Sequence, residues 1–393
     1  MKVINVVGAR PNFMKMAPII EAMNKHPEIF THLLIHTGQH YDEKMSHAFF
    51  NDLGMPRPDI DLGVGSGSHA EQTARIMVEF EKVCLREQPD LVIVVGDVNS
   101  TMACTITAKK LGIRVAHVEA GLRSRDMDMP EEINRLCTDV LSDYLFTTDH
   151  FADANLRAEG VAPEKIIFVG NVMIDTLLKH RRMAEKMDLL EQMGLRKKEY
   201  ATLTLHRPSN VDNRETLEGI LLALREISAR LPIVFPIHPR TRKMAKEFGL
   251  EHYFSSGGRV EGIWITEPLG YLEFLHLNMQ AKMVLTDSGG IQEETTVLGI
   301  PCITMRHNTE RPITCEVGTN VIVGNDREKI LAAANGILDG RTTAGSIPEK
   351  WDGHAAERIV EWLIRGRRGH PLKGPLSINK LPCRQEKMIS CKG

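Results

Sequence analysis

The chain has 393 residues, enough for about two or three domains. Apolar residues make up 42% of it and charged residues 25%, proportions that are typical of a globular protein. The formal net charge of −2 gives no electrostatic reason to expect a nucleic-acid or membrane partner. The seven cysteines include no Cys-x-x-Cys pair, and no apolar run is long enough for a signal peptide or a membrane span. We therefore expect reduced thiols and a cytoplasmic location.

Short apolar runs in the first half of the chain are followed by polar or glycine residues and then by apolar residues at helical spacing. The predicted strands are 3–7, 32–36, 91–95, 114–118, 144–147 and 166–169. Ser68 is predicted to cap a helix that begins near Ala70. Strands that alternate with helices predict a doubly wound parallel sheet, and such sheets bind ligands at the carboxyl ends of their strands.

The first strand ends at Gly8, and two cations, Arg10 and Lys15, follow it closely. The turn lacks the Gly-x-Gly-x-x-Gly spacing of a dinucleotide site, which disfavours NAD. Both cations could bind a pyrophosphate. The alternative is that both side chains are simply solvated.

Three acids lie where strands end or a helix begins. Asp97 and Glu119 follow predicted strands, and Glu131 follows the proline that opens a predicted helix. Their positions point them at one crevice. Each also has a structural alternative: Asp97 could cap the next helix, Glu119 could pair with Arg123 or Arg135, and Glu131 could complement the dipole of its own helix.

The second half of the chain repeats the alternation. Its predicted strands are 200–205, 233–237, 263–266, 283–285 and 302–305. Two similar halves predict two domains facing across a cleft, at 1–175 and 176–354. A helix at about 355–368 is predicted to pack back on the first domain, and residues 369–393 are expected to have little order.

The stretch from 281 to 301 carries the clearest binding pattern. A predicted strand ends before Ser288, Gly289 and Gly290, and a helix follows with Glu293 and Glu294 in its first turns. Unpaired N–H groups at a helix start bind anions, and glycines let a phosphate approach closely. The acids could accept hydrogen bonds from ribose hydroxyls. The alternative is an ordinary strand–helix turn with two solvated acids.

Two further residues, His206 and Arg311, join the anion-binding stretch in the second half of the chain. Closing the cleft would bring the acids of one half to a substrate whose phosphates are held by the other. Carboxylates can move protons at carbon or at a leaving oxygen, while cations and helix termini stabilise a departing diphosphate. This combination predicts chemistry at the sugar end of a nucleotide sugar. His206 could instead be a structural loop histidine.

Seven ordered motifs spanning about residues 1–364 resemble the non-hydrolysing UDP-N-acetylglucosamine 2-epimerase family. They are GARPNFMKMAP, GDVNST, HVEAGLRS, MPEEINR, LHRPSN, LTDSGGIQEE and NTERP. The resemblance implies the GT-B architecture of two Rossmann-like domains. It also implies interconversion of UDP-GlcNAc and UDP-ManNAc by removal of the C2 proton, elimination of UDP to a 2-acetamidoglucal, and re-addition of UDP.

The resemblance also assigns roles by motif. The implied catalytic residues are Asp97, Glu119, Glu131 and His206. The implied diphosphate and sugar contacts are Arg10, Lys15, Arg135 and Arg311, together with the phosphate cradle of Ser288, Gly289 and Gly290. Glu294 is implied to contact the ribose, Phe274 to line the uracil pocket, and Leu269 to contact the base through its backbone. Asp97 and Glu131 are expected to serve opposite faces of C2, with Glu119 positioning the substrate or sharing that role.

No metal or redox cofactor is implied, and the expected partner is a UDP-sugar bound by a homodimer. Many bacterial members bind a second UDP-GlcNAc as an activator, and Gln39, His40 and His238 fit that site. Asp42 and Pro208 differ from its usual residues.

Some residues depart from the family pattern. Leu269 stands where a glutamine often occurs, and Asn12-Phe13 replaces a Glu-Ala pair. These variants resemble the branch that acts on UDP-sugars with altered C3 or C6 groups, such as UDP-2,3-diacetamido glucuronate. Alternatives to the epimerase are a hydrolysing relative that releases ManNAc and UDP, a glycosyltransferase of the same fold, and a noncatalytic nucleotide-sugar sensor.

Overall fold

The computed structural model describes residues 1–38, 54, 56–255, 261–341 and 345–369. Within these ranges the chain forms two parallel sheets of seven strands, each flanked by helices. The predicted doubly wound α/β fold is confirmed. We call the elements around the first sheet the first lobe and those around the second sheet the second lobe.

The strands of the first sheet are Lys2–Val7 (β1), Thr31–His36 (β2), Ile60–Asp61 (β3), Leu91–Val95 (β4), Arg114–Ala120 (β5), Tyr144–Thr147 (β6) and Ile166–Phe168 (β7). Their spatial order is β3-β2-β1-β4-β5-β6-β7, so the chain reverses direction across the sheet between β1 and β4. Ligands of such sheets bind at this reversal, outside the carboxyl ends of the strands.

The strands of the second sheet are Ala201–Thr204 (β8), Ile233–Pro236 (β9), Phe254–Ser255 (β10), Ile263–Thr266 (β11), Met283–Thr286 (β12), Cys302–Thr304 (β13) and Asn320–Ile322 (β14). Their order is β10-β11-β9-β8-β12-β13-β14, with the reversal between β8 and β12. The two reversals place the residues after β1, β4, β8 and β12 at the candidate crevice.

The helices up to the second sheet are Arg10–Asn24 (α1), His69–Glu87 (α2), Asn99–Lys110 (α3), Pro130–Leu141 (α4), His150–Ala158 (α5), Val172–Ala184 (α6) and Leu189–Gln192 (α7). Those that follow are Pro208–Val211 (α8), Arg214–Ser228 (α9), Pro239–Glu247 (α10), Tyr271–Gln280 (α11), Gly289–Leu298 (α12), Ile313–Glu316 (α13), Arg327–Leu338 (α14) and Ala355–Gly369 (α15).

Local sequence explains these elements. The run at β4 is buried at every position, as expected for a strand covered on both faces. Ser68 caps α2 as predicted, because its side chain accepts from the Glu71 backbone N–H and its own backbone N–H donates to the Glu71 carboxylate. Such reciprocal pairing satisfies the backbone donors at a helix start.

The last described helix, α15, packs in the core of the first lobe. Ala355, Ile359 and Leu363 are buried against residues of β1 and α1. Asp175 on α6 accepts hydrogen bonds from the first two backbone N–H groups of α15. The chain therefore returns to its first sheet after completing the second.

The predicted domain limits at residues 175 and 354 remain predictions, and the predicted tail lies almost wholly outside the described residues. No helix of the described part is both long and apolar enough to span a membrane.

Candidate active site between the two sheets

Asp97 lies directly after β4, at the carboxyl end of the first sheet. Arg135 of α4 donates to Asp97 Oδ2 through Nε at 3.1 Å and through Nη2 at 2.7 Å. Burial tends to raise the pKa of Asp97, but the charges of nearby cations, with Arg135 foremost, outweigh burial and lower it. Asp97 is therefore a carboxylate that can accept a proton. It does not cap α3, whose N-cap residue is Val98.

Glu119 lies near the end of β5 in an unusual backbone conformation, with φ of +70° and a register shift against β6. Lys15 donates to Glu119 Oε2, and Arg311 Nη2 of the second lobe lies 4.0 Å from Oε1. The side chains of Glu119 and Lys15 are only 2% and 9% exposed. The alternatives that paired Glu119 with Arg123 or Arg135, or left Lys15 in solvent, are wrong.

Two adjacent glutamates at the start of α4 have different surroundings. Glu132 is buried and accepts hydrogen bonds from Ser124 N, Ser124 Oγ, Arg125 N and Arg135 Nη1. Glu131 is partly exposed, and its carboxylate makes no hydrogen bond or ion pair to a described residue. Glu132 is therefore occupied in holding the loop and Arg135, while Glu131 is available to a ligand.

The anion-binding pattern lies at the carboxyl end of the second sheet. Ser288 is the N-cap of α12, so both glycines belong to the first helical turn rather than preceding it as predicted. A Cβ added to Gly289 would lie 2.8 Å from both Arg311 Nη1 and Glu310 Oε1, whereas one added to Gly290 would meet nothing within 4 Å. Gly289 therefore gives the charged side chains room against the helix start, and Gly290 leaves that surface open.

Arg311 is the centre of a buried charge cluster. Its Nε lies 2.7 Å from Glu293 Oε1, and its Nη1 donates to Glu310 Oε1 at 2.7 Å. Arg306 Nη2 lies 2.9 Å from the other oxygen of Glu310. Burial alone would raise the pKa of Glu310, but these arginines outweigh it and hold the pKa well below its usual range. Glu310 is therefore ionised although almost no solvent reaches it, whereas burial raises the pKa of Glu293 to about 7.

Two contacts join the charge clusters of the lobes. Arg311 faces Glu119 across 4.0 Å, as described above, and Arg135 Nη2 of the first lobe lies 3.9 Å from Glu310 Oε1 of the second. The acids of one sheet and the anion-binding elements of the other therefore meet in one cleft, as the sequence predicts.

Glu293 and Glu294 are buried at 1% and 5% exposure, so the alternative of two solvated acids is wrong. Asn171, the N-cap of α6, donates to Glu293 Oε1 at 2.9 Å. The hydroxyl of Tyr271 donates to Glu294 Oε1 at 3.3 Å. Burial raises the pKa of Glu294 to about 7, and the hydrogen bond from Tyr271 opposes this only in part.

Replacement of Glu294 by glutamine should flatten the dependence of stability on pH. The raised pKa means that the folded protein binds this proton more tightly than the unfolded chain. The resulting stabilisation is complete below pH 4.5 and is lost as pH rises towards 7. Between pH 5 and 8 the parent protein should therefore lose on the order of 2–3 kcal/mol more unfolding free energy than the variant. Urea unfolding at both pH values measures this; equal pH slopes would contradict it.

His206 follows β8 and is oriented by Asp287, which follows β12. Asp287 Oδ2 accepts from the backbone N–H groups of His206 and Arg207 at 2.7 Å each. Its Oδ1 lies 2.8 Å from His206 Nδ1. Asp287 is fully buried, whereas the His206 side chain is 38% exposed. The arrangement fixes Nδ1 toward Asp287 and leaves Nε2 for a ligand.

The structure describes four more of the predicted site residues. Arg10 is exposed at the first position of α1, Phe274 is half-buried on α11, and Leu269 is half-buried before that helix. The His238 ring lies 5.5 Å from the His206 ring. Gln39 and His40 fall outside the described residues, so the second nucleotide-sugar site remains a prediction.

Several buried polar atoms of the cleft make no hydrogen bond to a described residue. Among them are Arg306 Nη1, Arg207 Nε and Glu119 Oε1. Buried polar atoms are normally paired, and those that are not require an explanation. A polar, anionic ligand in the cleft would satisfy the two arginines.

A family model described as UDP-N-acetylglucosamine 2-epimerase matches residues 21–364. The chain belongs to this family. A relative named UDP-N-acetylglucosamine 2-epimerase from Methanocaldococcus jannaschii is 45% identical over 377 residues, which are 93% of this chain and 100% of the relative. One named UDP-2,3-diacetamido-2,3-dideoxy-D-glucuronate 2-epimerase, from Pseudomonas aeruginosa, is 40% identical over 93% of this chain and 100% of that protein.

Solved structures of the 2-epimerase family share the fold. The crystal structure of the M. jannaschii UDP-GlcNAc 2-epimerase in complex with UDP-GlcNAc and UDP matches with a TM-score of 0.85 and 45% identity. The match covers 93% of this chain and 100% of the chain in the crystal structure. The predicted family and its architecture of two Rossmann-like domains are confirmed.

Alanine substitutions at Gly289 and Gly290 of this 2-epimerase family member should have different effects on UDP binding and on stability. In Gly289→Ala the new methyl must displace Arg311 or Glu310, so UDP affinity should fall by about tenfold or more. In Gly290→Ala the unliganded protein should be as stable as the parent or up to about 1 kcal/mol more stable, since alanine favours helix. Calorimetric UDP titration and thermal unfolding measure both. Unchanged UDP affinity in Gly289→Ala would remove the cradle assignment.

Sequence reasoning missed three side chains that the structure places in or under the family's cleft: Glu132, Asp287 and Glu310. Each stands next to a predicted residue in a quoted motif: Glu132 follows Glu131, Asp287 precedes Ser288, and Glu310 precedes Arg311. The motifs could thus have signalled them. Which of two adjacent acids is buried depends on contacts between distant segments.

Proposed function

We propose that this protein is a non-hydrolysing UDP-GlcNAc 2-epimerase that interconverts UDP-GlcNAc and UDP-ManNAc. The observation that carries the proposal is the 4.0 Å approach of Arg311, beside the anion-binding helix, to Glu119 among the acids. A sugar diphosphate bound at α12 would place its hexose against the carboxylates of the first lobe. The names of the family model and of the 45% identical relative from M. jannaschii support the same activity.

The second lobe is proposed to bind UDP. The backbone N–H groups at Ser288, Gly289 and Gly290, at the start of α12, would donate hydrogen bonds to the diphosphate, with Arg311 neutralising its charge. Glu294 would contact the ribose, while Phe274 and the backbone of Leu269 would hold the uracil. From the first lobe, Arg10, Lys15 and Arg135 would contact the diphosphate and the sugar.

The first lobe is proposed to perform the proton transfers. A carboxylate takes the proton from C2, the C1–O bond to the diphosphate breaks, and the electron pair of the former C–H bond forms the C1=C2 double bond of a 2-acetamidoglucal. UDP then re-adds through its diphosphate oxygen at C1, and a second carboxylic acid protonates C2 on the opposite face. Asp97 and Glu131 are the proposed pair, with Glu119 positioning the substrate and His206 contacting it.

The alternative substrate is a UDP-sugar with altered C3 or C6 groups. It is favoured by the 40% identity to a relative named for UDP-2,3-diacetamido-2,3-dideoxy-D-glucuronate. The proposed reaction is the same, because the same acids would act at C2. Only the pocket beyond the sugar ring would differ.

Incubation with each UDP-sugar in deuterated water, followed by NMR, tests the proposal. We expect a steady mixture of two UDP-GlcNAc epimers with deuterium at C2 of both. Accumulation of free sugar would indicate the hydrolysing alternative. Exchange with the diacetamido substrate alone would shift the assignment to that branch. No change without an acceptor would favour a glycosyltransferase, and UDP binding without any turnover would favour a sensor.

We further propose a cytoplasmic homodimer. Helices α2 and α4 both pack against α3, and each exposes large apolar side chains, including Val78 at 54% and Val140 at 71%. Exposed apolar surface of this kind is typical of protein interfaces. Light scattering should give twice the chain mass of 44.1 kDa; a mass of one chain at micromolar concentration would exclude the dimer.

A further inference from the structure

A buried ionic network lies directly beneath the acids of the first lobe. His117 on β5 is fully buried, with Nδ1 2.6 Å from Asp139 Oδ1 and Nε2 2.8 Å from the carbonyl oxygen of Gly96. Asp139 belongs to α4 and is 2% exposed. Neither side chain was assigned a role by sequence reasoning or by the proposed mechanism.

The contacts fix the protonation of the imidazole. A carbonyl oxygen can only accept, so Nε2 carries a proton that it donates to Gly96. Asp139 Oδ2 accepts from Gly121 N at 3.0 Å and lies 2.7 Å from Arg123 Nη1. A carboxyl oxygen that accepts from a backbone N–H and faces a buried guanidinium at this distance belongs to an ionised group. Asp139 is therefore a carboxylate that can only accept, so Nδ1 of the ring also donates.

The network binds the backbone just before one proposed catalytic acid, Asp97, and just after another, Glu119. Gly96 immediately precedes Asp97, and Gly121 follows Glu119 by two residues. Glu119 itself holds φ of +70°, a conformation that is unfavourable for a non-glycine residue and persists only where its surroundings impose it. The hydrogen bond from Gly121 to Asp139 supplies such a restraint immediately after Glu119.

The same contact also fixes the third acid. Helix α4 carries Glu131 in its first turn and Asp139 in its last. Pairing of Asp139 with His117 docks α4 against β5, and the Gly96 carbonyl extends the connection to β4. One imidazole and one carboxylate therefore join all three elements from which the acids project.

We propose that His117 and Asp139 form a positioning pair that sets the relative placement of Asp97, Glu119 and Glu131, with His117 held as an imidazolium. The inference rests on the proposed function, since it concerns the acids of that reaction. Misplacement of reacting groups by about 1 Å can lower a rate by about 10²-fold. The pair contributes to kcat without touching substrate.

Steady-state kinetics of His117→Gln and Asp139→Asn, beside the parent enzyme, test the proposal. Each variant removes one charge of the pair, so kcat should fall by about 10–100-fold while the UDP dissociation constant changes by less than about twofold. The control is Asp175→Asn, which replaces a buried carboxylate of the same lobe that caps α15. It should lower the melting temperature and keep kcat per folded enzyme.

The outcomes separate the two claims. A parent enzyme that exchanges no C2 hydrogen would refute the proposed function and the inference with it. If the parent is active and both variants keep their kcat, the positioning pair alone is refuted. The same holds if the variants lose activity only in proportion to their unfolded fraction, as is expected of the control. If His117→Gln does not fold, nitrogen-15 NMR of labelled histidine in the parent enzyme tests the inference instead. We expect a proton on both ring nitrogens of His117, and a singly protonated ring would contradict the inference.

Discussion

Replacement of Glu131 by glutamine is expected to lower kcat for 2-epimerisation by a factor of about 10²–10⁴, because an amide cannot take or return a proton. Glu131 makes no hydrogen bond or ion pair to a described residue, so the change should leave the fold intact. The dissociation constant for UDP should change by less than about twofold, since the residue acts at the sugar rather than at the nucleotide. NMR progress curves and calorimetric titration with UDP provide the two measurements.

The neighbouring Glu132→Gln is the matched control. It removes the same charge one residue away, but from a carboxylate that accepts four hydrogen bonds. Its unfolding free energy should fall by about 1–3 kcal/mol, whereas that of Glu131→Gln should not. Full activity in Glu131→Gln would remove it from the catalytic assignment. A loss of stability equal to that of Glu132→Gln would show a structural role instead.

Replacement of Arg311 by glutamine should affect both binding and stability. The variant loses the cation beside the diphosphate site, and we expect UDP affinity to fall by about 10²-fold, or roughly 3 kcal/mol. It also leaves Glu293, Glu310 and Glu119 without a shared cation in a buried site. Breaking a buried ion pair from one side costs about 3–5 kcal/mol of unfolding free energy.

A double variant separates these two effects. Adding Glu293→Gln to Arg311→Gln removes a carboxyl whose pKa burial raises to about 7 even beside Arg311, so stability should recover only at pH values above 7. It supplies no new cation, so UDP affinity should stay low. Recovery of UDP affinity in the double variant would mean that the binding loss came from buried charge and not from a lost phosphate contact.

Much of the fold can be predicted from the sequence because parallel strands are continuous apolar runs that end at polar or glycine residues. The predicted strands 91–95, 144–147 and 263–266 coincide with β4, β6 and β11. Boundaries are less certain where a helix starts with small residues. Helix α12 begins at Gly289 because Ser288 takes the N-cap, whereas glycine composition alone favours a turn there.

Only part of the candidate site can be predicted from the sequence. The sequence predicts Asp97 and Glu119 near strand ends because they follow unbroken apolar runs, although β5 continues past Glu119 to Ala120. The sequence does not predict their ionic partners, because Lys15 and Glu119 are 104 residues apart and meet only when β1 and β5 enter one sheet. The burial of Glu293 and Glu294 depends likewise on α6 and α11 packing over α12.

A crystal structure with UDP-GlcNAc bound tests the central claim most directly. The account predicts the diphosphate at the start of α12 beside Arg311, and the hexose between the lobes. At least one carboxylate oxygen of Asp97 or Glu131 should lie close enough to C2 for proton transfer, within about 3.2 Å or one water molecule. A complex with the diphosphate at α12 but all three acids pointing away from the pyranose would contradict it.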